Sequence, residues 1–127
     1  MESIFLKQTR INPEIYLDRE KEIFKISGAS IPENASEYFR PILDWIDEYS
    51  KNPLDKTEFI FNLNYFNTST SKKLIDILMK LKTIYDSGKE VLIKWYHEEK
   101  DEDMKESGVG YKEISEIPFE FVSYNSD

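Results

Sequence analysis

The sequence predicts an α/β (α+β) domain: a mixed sheet that opens as an antiparallel meander, with two main helices packed on one face. Three patterns carry that reading. Short runs of alternating apolar residues near the N-terminus are joined by turn residues too few to hold a crossover. A strand, helix, strand succession then runs from Thr57 to Tyr96, which calls for a parallel pair. Finally, each of the two long helical stretches carries a single apolar stripe, so each needs one surface to cover it.

The meander is expected to use Ile4 to Thr9, Glu14 to Asp18 and Glu22 to Ser27 as strands. Asn12-Pro13 separates the first two, and Asp18-Arg19-Glu20-Lys21 turns the chain into the third. Gly28-Ala29-Ser30-Ile31-Pro32 then breaks the pattern. From Asn34 to about Ser50, Tyr38, Phe39, Ile42, Leu43, Trp45, Ile46 and Tyr49 recur at helical spacing. Pro41 lies inside this stretch and predicts a kink, or a short helix leading into a longer one. Asn52-Pro53-Leu54-Asp55-Lys56 ends it.

Thr57 to Phe66 alternates Phe59, Phe61, Leu63 and Tyr65 against Glu58, Ile60, Asn62 and Asn64, the pattern of a strand with one buried face. Leu74, Ile77, Leu78, Leu81, Ile84 and Tyr85 then form a helical stripe, which Asp86-Ser87-Gly88-Lys89 closes with a glycine suited to a left-handed cap. Val91 to Tyr96 reads as a central strand. Tyr111, Ile114 and Ile117 predict a short helix ahead of a last strand, Phe119 to Tyr124.

Between the Thr57 strand and the Leu74 helix lie Asn67, Thr68, Ser69, Thr70, Ser71, Lys72 and Lys73, read as a polar strand-to-helix connection. Asn, Ser and Thr are preferred helix caps, and a helix start leaves up to about four N–H groups without an intrahelical acceptor. Lysines near such a start are disfavoured by about 0.3–1 kcal/mol each, and a phosphoryl group on one of the hydroxyls would offset that. Plain capping explains the same residues, so both readings stand at this level, as does a small-ligand binder that holds a free anion at the helix start.

Composition narrows the function classes. The 127 residues are expected to form one domain, 1–127, large enough for a core of its own. Seventeen basic against twenty-five acidic residues give a net charge of −8, which disfavours nucleic acid and anionic membrane surfaces and points to protein partners. The absence of cysteine excludes disulfides, thiol catalysis and Cys-ligated zinc. No signal peptide is recognisable and no apolar run approaches the roughly 20 residues of a membrane span, so a soluble, cytoplasmic chain is expected. His97 is the only histidine, and no nucleophile elbow, P-loop or dinucleotide glycine pattern occurs, so the expectation is no enzyme and no cofactor. The acidic run from Glu98 to Glu106 lacks EF-hand spacing and reads as a solvated surface, with no metal.

With these residues in view, the chain resembles the SiaC family of bacterial regulatory phosphoproteins over almost its whole length. Tyr65-Phe66-Asn67-Thr68-Ser69-Thr70-Ser71-Lys72, then Ile93-Lys94-Trp95-Tyr96, then Asp101-Glu102-Asp103-Met104 with a glycine-containing turn carry the resemblance. More distantly it is similar to the STAS-type anti-sigma-factor antagonists, where a serine in an Asp-Ser-Ser-Gly turn at a helix start is phosphorylated. Asn67 and Thr68 stand at that Asp-Ser; Thr70 replaces the glycine, and His97-Glu98 departs from the aromatic or acidic residue expected there. The resemblance implies a STAS-like partner-switching protein. A cognate serine/threonine kinase would phosphorylate Thr68, with Ser69, Thr70 and Ser71 as competing acceptors, and a metal-dependent protein phosphatase would reverse it. The unmodified form would bind and activate a diguanylate cyclase. The reading from another class is a structural or adaptor domain in which the hydroxyl-rich turn only caps a helix.

Overall fold

The computed structural model describes residues 1–125, so the last two positions of the expected 1–127 domain lie outside the described residues. The elements run β1 (Ile4–Leu6), β2 (Glu14–Asp18), β3 (Ile23–Ser30), α1 (Ala35–Ser50), β4 (Lys56–Phe66), α2 (Thr68–Asp86), β5 (Glu90–Glu98), α3 (Glu102–Ser115) and β6 (Phe119–Tyr124). The six strands lie side by side in chain order. The first three pair antiparallel, and β3 with β4, β4 with β5 and β5 with β6 pair parallel. The sheet is mixed, and the Thr57 and Val91 runs are parallel as the sequence predicts.

Three parallel steps in one direction have a geometric consequence. Right-handed crossovers that always step the same way deposit every connecting helix on the same face. One core accordingly joins Ile15 and Leu17 of β2, Phe24 and Ile26 of β3, Phe59, Phe61 and Leu63 of β4, and Val91, Ile93 and Trp95 of β5 to the buried residues of all three helices. Phe24 meets Trp45 and Tyr49 of α1, while Trp95 meets Tyr111 of α3. The opposite face is half-exposed and carries the ion pairs Lys25–Glu14 and Lys94–Glu58.

Several boundaries differ from the sequence expectation. The first strand stops at Leu6 instead of Thr9. The third does not break at Gly28 but continues to Ser30. Gly28 supplies a positive φ of 101° there, beside a register shift that leaves Asn64 of β4 without a counterpart. That extra residue moves the alternation of β4 by one: Leu63 is the last inward residue of the original phase, Phe66 turns toward Trp95, and Tyr65 is 57 % exposed instead of buried. Pro41 neither ends nor divides α1, which is assigned without interruption from Ala35 to Ser50. Tyr85, expected in the α2 stripe, lies on the exposed side.

The largest correction concerns the C-terminal third. The expected short helix is the 14-residue α3, which begins inside the acidic run with Asp101 as its N-cap and Glu102 and Asp103 in its first turn. Carboxylates are favourable at that end of a helix, which accounts for Asp101, Glu102 and Asp103. Ile114 is exposed and Ile117 is buried beyond the helix end. Gly108 and Gly110, expected in a turn, are helical. Gly108 is where α3 meets the sheet: a Cβ there would lie 2.5 Å from Trp95 Cδ1 and 2.8 Å from Phe121 Cε1.

Trp95 cannot retreat from that contact, because it is buried and its Nε1 donates to the Met104 carbonyl at 2.9 Å. Gly108→Ala is therefore expected to destabilise the fold by about 1–3 kcal/mol, overpacking outweighing the helix propensity gained. Gly110→Ala has no atom within 4 Å of the added carbon. It should be neutral or stabilise by up to about 1 kcal/mol. Urea unfolding midpoints of the two variants, compared with wild type, check both signs.

Candidate functional site

β4 runs directly into α2 across a single residue. Asn67 is the N-cap, extended in backbone, and its side-chain oxygen accepts from the Thr70 N–H at 2.9 Å. The seven polar residues are thus not a connection before a helix. They are the cap and the first turn and a half of the helix itself, because Asn67 alone suffices to change the backbone from strand to helix. Lys72 and Lys73 consequently sit in the second turn, beyond the reach of most of the dipole penalty the sequence reading assigned them.

The four hydroxyls of this turn are not equivalent. Thr70 is fully buried, with its Oγ1 2.9 Å from Ser30 Oγ and 3.2 Å from the Ser30 carbonyl oxygen. Ser71 donates to the Thr68 carbonyl at 2.6 Å, and Ser69 donates to Asn67 Oδ1 at 3.1 Å. Thr68 is exposed, and among the described residues its hydroxyl makes no hydrogen bond. Its neighbours' hydroxyls are occupied; its own is available.

Thr68 opens onto a cleft of about 520 Å³ between the starts of two helices. One wall is Thr68, Ser69, Lys72 and Lys73 of α2, and the other is Glu33, the α1 N-cap Asn34, Ala35 and Ser36. Lys73 is ion-paired to Asp76 at 3.6 Å, whereas among the described residues Lys72 has no ion pair. The cleft shares Ser36 and Lys73 with a longer groove between α1 and α2, where Lys80 bridges to Asp47 at 2.7 Å. α2 has no acidic residue in its first turn, while α1 has Glu37 and α3 has Glu102 and Asp103. The α2 start thus presents Lys72 without an ion pair among the described residues and no first-turn acid of its own, on a chain whose net charge is −8.

Asn67 to Lys73 are recognisable in the sequence; the opposing wall and the two residues that anchor the site from behind are not. Ser30 comes from the end of β3, and Tyr111 of α3 donates its hydroxyl to the Ser71 carbonyl at 3.1 Å. The Asn34 cap was visible in the sequence as a helix start; its position opposite Thr68 depends on the strand order. His97 is buried, with Nδ1 3.0 Å from the Glu98 carbonyl oxygen. Among the described residues no group of three or more His, Asp or Glu is placed to hold a metal ion, and no helix is long and apolar enough to cross a membrane.

Comparison with known proteins agrees over nearly the full chain. The family model for the SiaC family regulatory phosphoproteins matches residues 6–124. An uncharacterized protein of Pseudomonas aeruginosa (strain UCBPP-PA14) is 26 % identical over 98 % of this chain and 99 % of its own. The crystal structure of apo-SiaC from P. aeruginosa is similar at a TM-score of 0.87, with 26 % identity, covering 96 % of this chain and 99 % of that one. A chain in the crystal structure of the diguanylate cyclase SiaD in complex with its activator SiaC, also from P. aeruginosa, is similar at 0.89 and 26 % identity, covering 95 % and 99 %.

The Tyr111 tether to the site has a measurable signature. Burial pushes its phenol from 10.0 up to about 12. A raised folded-state value means that the stability from keeping the phenol neutral is complete below pH 10 and is lost as pH rises through about 12. Tyr111→Phe should cost about 0.5–1.5 kcal/mol at neutral pH, the net worth of one hydrogen bond. Its deficit relative to wild type should shrink between pH 10 and about 12, because only wild type has this proton to lose. Urea midpoints at either end of that window give the answer, and a constant deficit would contradict it.

Proposed function

The chain belongs to the SiaC family of regulatory phosphoproteins, and from that premise we propose that it is a non-enzymatic partner switch controlled by phosphate on Thr68. A cognate serine/threonine kinase transfers the γ-phosphoryl group of ATP to Thr68 Oγ1, releasing ADP and the hydroxyl proton. A metal-dependent protein phosphatase hydrolyses the ester and returns the free hydroxyl with inorganic phosphate. The unmodified chain binds and activates a diguanylate cyclase, as the activator SiaC does with SiaD in the complex to which this chain is similar.

The observation that carries this reading is the difference among the four hydroxyls. Thr68 alone is exposed with its hydroxyl unbonded, whereas Thr70 is buried and Ser69 and Ser71 are hydrogen-bonded within the turn. A turn needed only for capping would not require Thr68, since Asn67 makes the cap. The surroundings suit the modified state as well. A phosphoryl group brings about −1.5 to −2 charge, and here it would stand at a helix start without acids, beside Lys72 and Lys73. Thr68 carries no adjacent general base, so it is a substrate for another enzyme and no nucleophile of its own.

The docking surface of this reading is the Thr68 turn with the outward side of α2. Leu74, Ile77, Leu78, Leu81 and Ile84 are committed to the core, while Lys72, Asp76 and Met79 are exposed. Phosphate acts there by drawing Lys72 or Lys73 away from a partner's acids and by adding a desolvation cost to any surface that covers it. Calorimetry of the cognate diguanylate cyclase with wild type, Thr68→Ala and Thr68→Asp at fixed ionic strength tests this. Thr68→Ala should bind like unmodified protein, and Thr68→Asp about tenfold more weakly, a difference of about 1.4 kcal/mol. Equal binding by enzymatically phosphorylated and unmodified chain would end the proposal.

A further inference from the structure

Resting on the reading of Thr68 as the acceptor, we infer that the buried Ser30–Thr70 pair is the positioning device that determines which hydroxyl of the turn is presented. Donor accounting fixes how the pair is wired. Thr70 has one hydroxyl proton, and the carbonyl oxygen of Ser30, 3.2 Å away, can only accept, so Thr70 donates there. The 2.9 Å contact between the two side chains is then Ser30 Oγ–H donating to Thr70 Oγ1. The Ser30 carbonyl also accepts the Asn67 N–H at 3.1 Å. Three hydrogen bonds thus tie the first residues of α2 to the last residue of β3, and both side chains are fully solvent-shielded.

Helical geometry converts that anchor into a choice of hydroxyl. Successive residues are separated by about 100° around the axis, so fixing Thr70 inward turns Thr68 about 200° away, toward solvent, and leaves Ser69 and Ser71 on the flanks. Those flanking hydroxyls are then within reach of Asn67 Oδ1 and the Thr68 carbonyl, and both are bonded there. The burial of two hydroxyls needs a reason, since an apolar residue of the same shape would pack without the desolvation cost. Valine would fill the Thr70 site by volume but could not read the Ser30 carbonyl. The buried stripe from Leu74 to Ile84 sets the rotation of α2 further along, and the pair acts by holding the first turn in that phase; it touches no kinase, partner or phosphate itself.

The test uses wild type, Thr70→Val and Thr70→Ser, each tagged and recovered from the source bacterium, with phosphosites mapped by fragment-ion mass spectrometry. Amide hydrogen exchange of the 67–73 segment is measured on the same purified proteins, with the β4 and β5 amides as the control for global unfolding. Wild type should carry phosphate on Thr68 alone. Thr70→Val should exchange the first-turn amides about tenfold faster while the strand amides stay protected, and its Thr68 occupancy should fall about tenfold or spread to Ser69 and Ser71. Thr70→Ser, which keeps the hydroxyl, should restore both readouts. The inference is overturned by Thr70→Val modified on Thr68 alone to the wild-type extent, by unchanged first-turn exchange, or by a Thr70→Ser variant that behaves like Thr70→Val. Wild type lacking phosphate under every growth condition would instead remove the phosphoacceptor reading, and exchange in Thr70→Val would still decide whether the pair holds the helix start.

Discussion

The direction of the chain across its sheet is the constraint on which the site depends. From β3 onward each strand is laid parallel beside its predecessor, with a helix between, and every step goes the same way. Constant handedness then stacks α1, α2 and α3 on one face and sets the starts of α1 and α2 next to one another, beyond the carboxyl ends of β3 and β4. A cleft between two helix N-termini follows from this topology before any side chain is chosen. The side chains decide what it can do. Lysines and hydroxyls line one wall and Glu33 the other, so the exposed Thr68 shares the cleft with Lys72 and with Lys73, which is already paired to Asp76.

Much of this fold was legible in the sequence because its strands are one-sided. Alternation is a strong signal where one face is packed and the other half-solvated, and β2, β4 and β5 match the expected bounds within a residue or two for that reason, while α1 does so through its helical apolar stripe. The failures have identifiable causes. An extra residue at Asn64 inverted the phase of β4, a tertiary event with no local marker, and so Tyr65 was placed inside. α3 was underestimated because its apolar stripe is thin: Met104, Gly108 and Tyr111 bury it, and glycines read from sequence as a turn. The close approach to Trp95 that makes Gly108 suitable is a property of the neighbouring strand.

The candidate site was legible in type and not in detail. Asn67 to Lys73 stood out as a hydroxyl-rich helix start, and the helix does begin there. Only the family resemblance singled out Thr68; local preference could not separate the four hydroxyls, since Thr and Ser at adjacent positions behave nearly alike. What separates them is long-range: Thr70 meets Ser30, forty residues earlier, and Tyr111 meets Ser71, forty residues later. Both contacts come from other layers of the fold. A capping argument confined to the turn had no access to either.

Those two anchors also bear on how a switch of this kind would operate. Ser30 and Tyr111 hold the α2 start from behind, through groups that neither face the cleft nor change charge at neutral pH. A phosphoryl group on Thr68 would add its charge on the opposite side of the helix, against the Lys72 and Lys73 side chains, so nothing in its immediate contacts would have to unfold to receive it. A conformational switch needs a ligand with several kcal/mol of preference between two packed states, about 5.5 kcal/mol to invert a population from one per cent to ninety-nine. A surface switch needs only the 1.4 kcal/mol per decade that a displaced lysine and one desolvated charge can supply. With α2 fixed by buried hydrogen bonds and its polar start left open, the physical balance favours the second for a phosphoryl group at Thr68: the fold would stay constant and the surface offered to a partner would change.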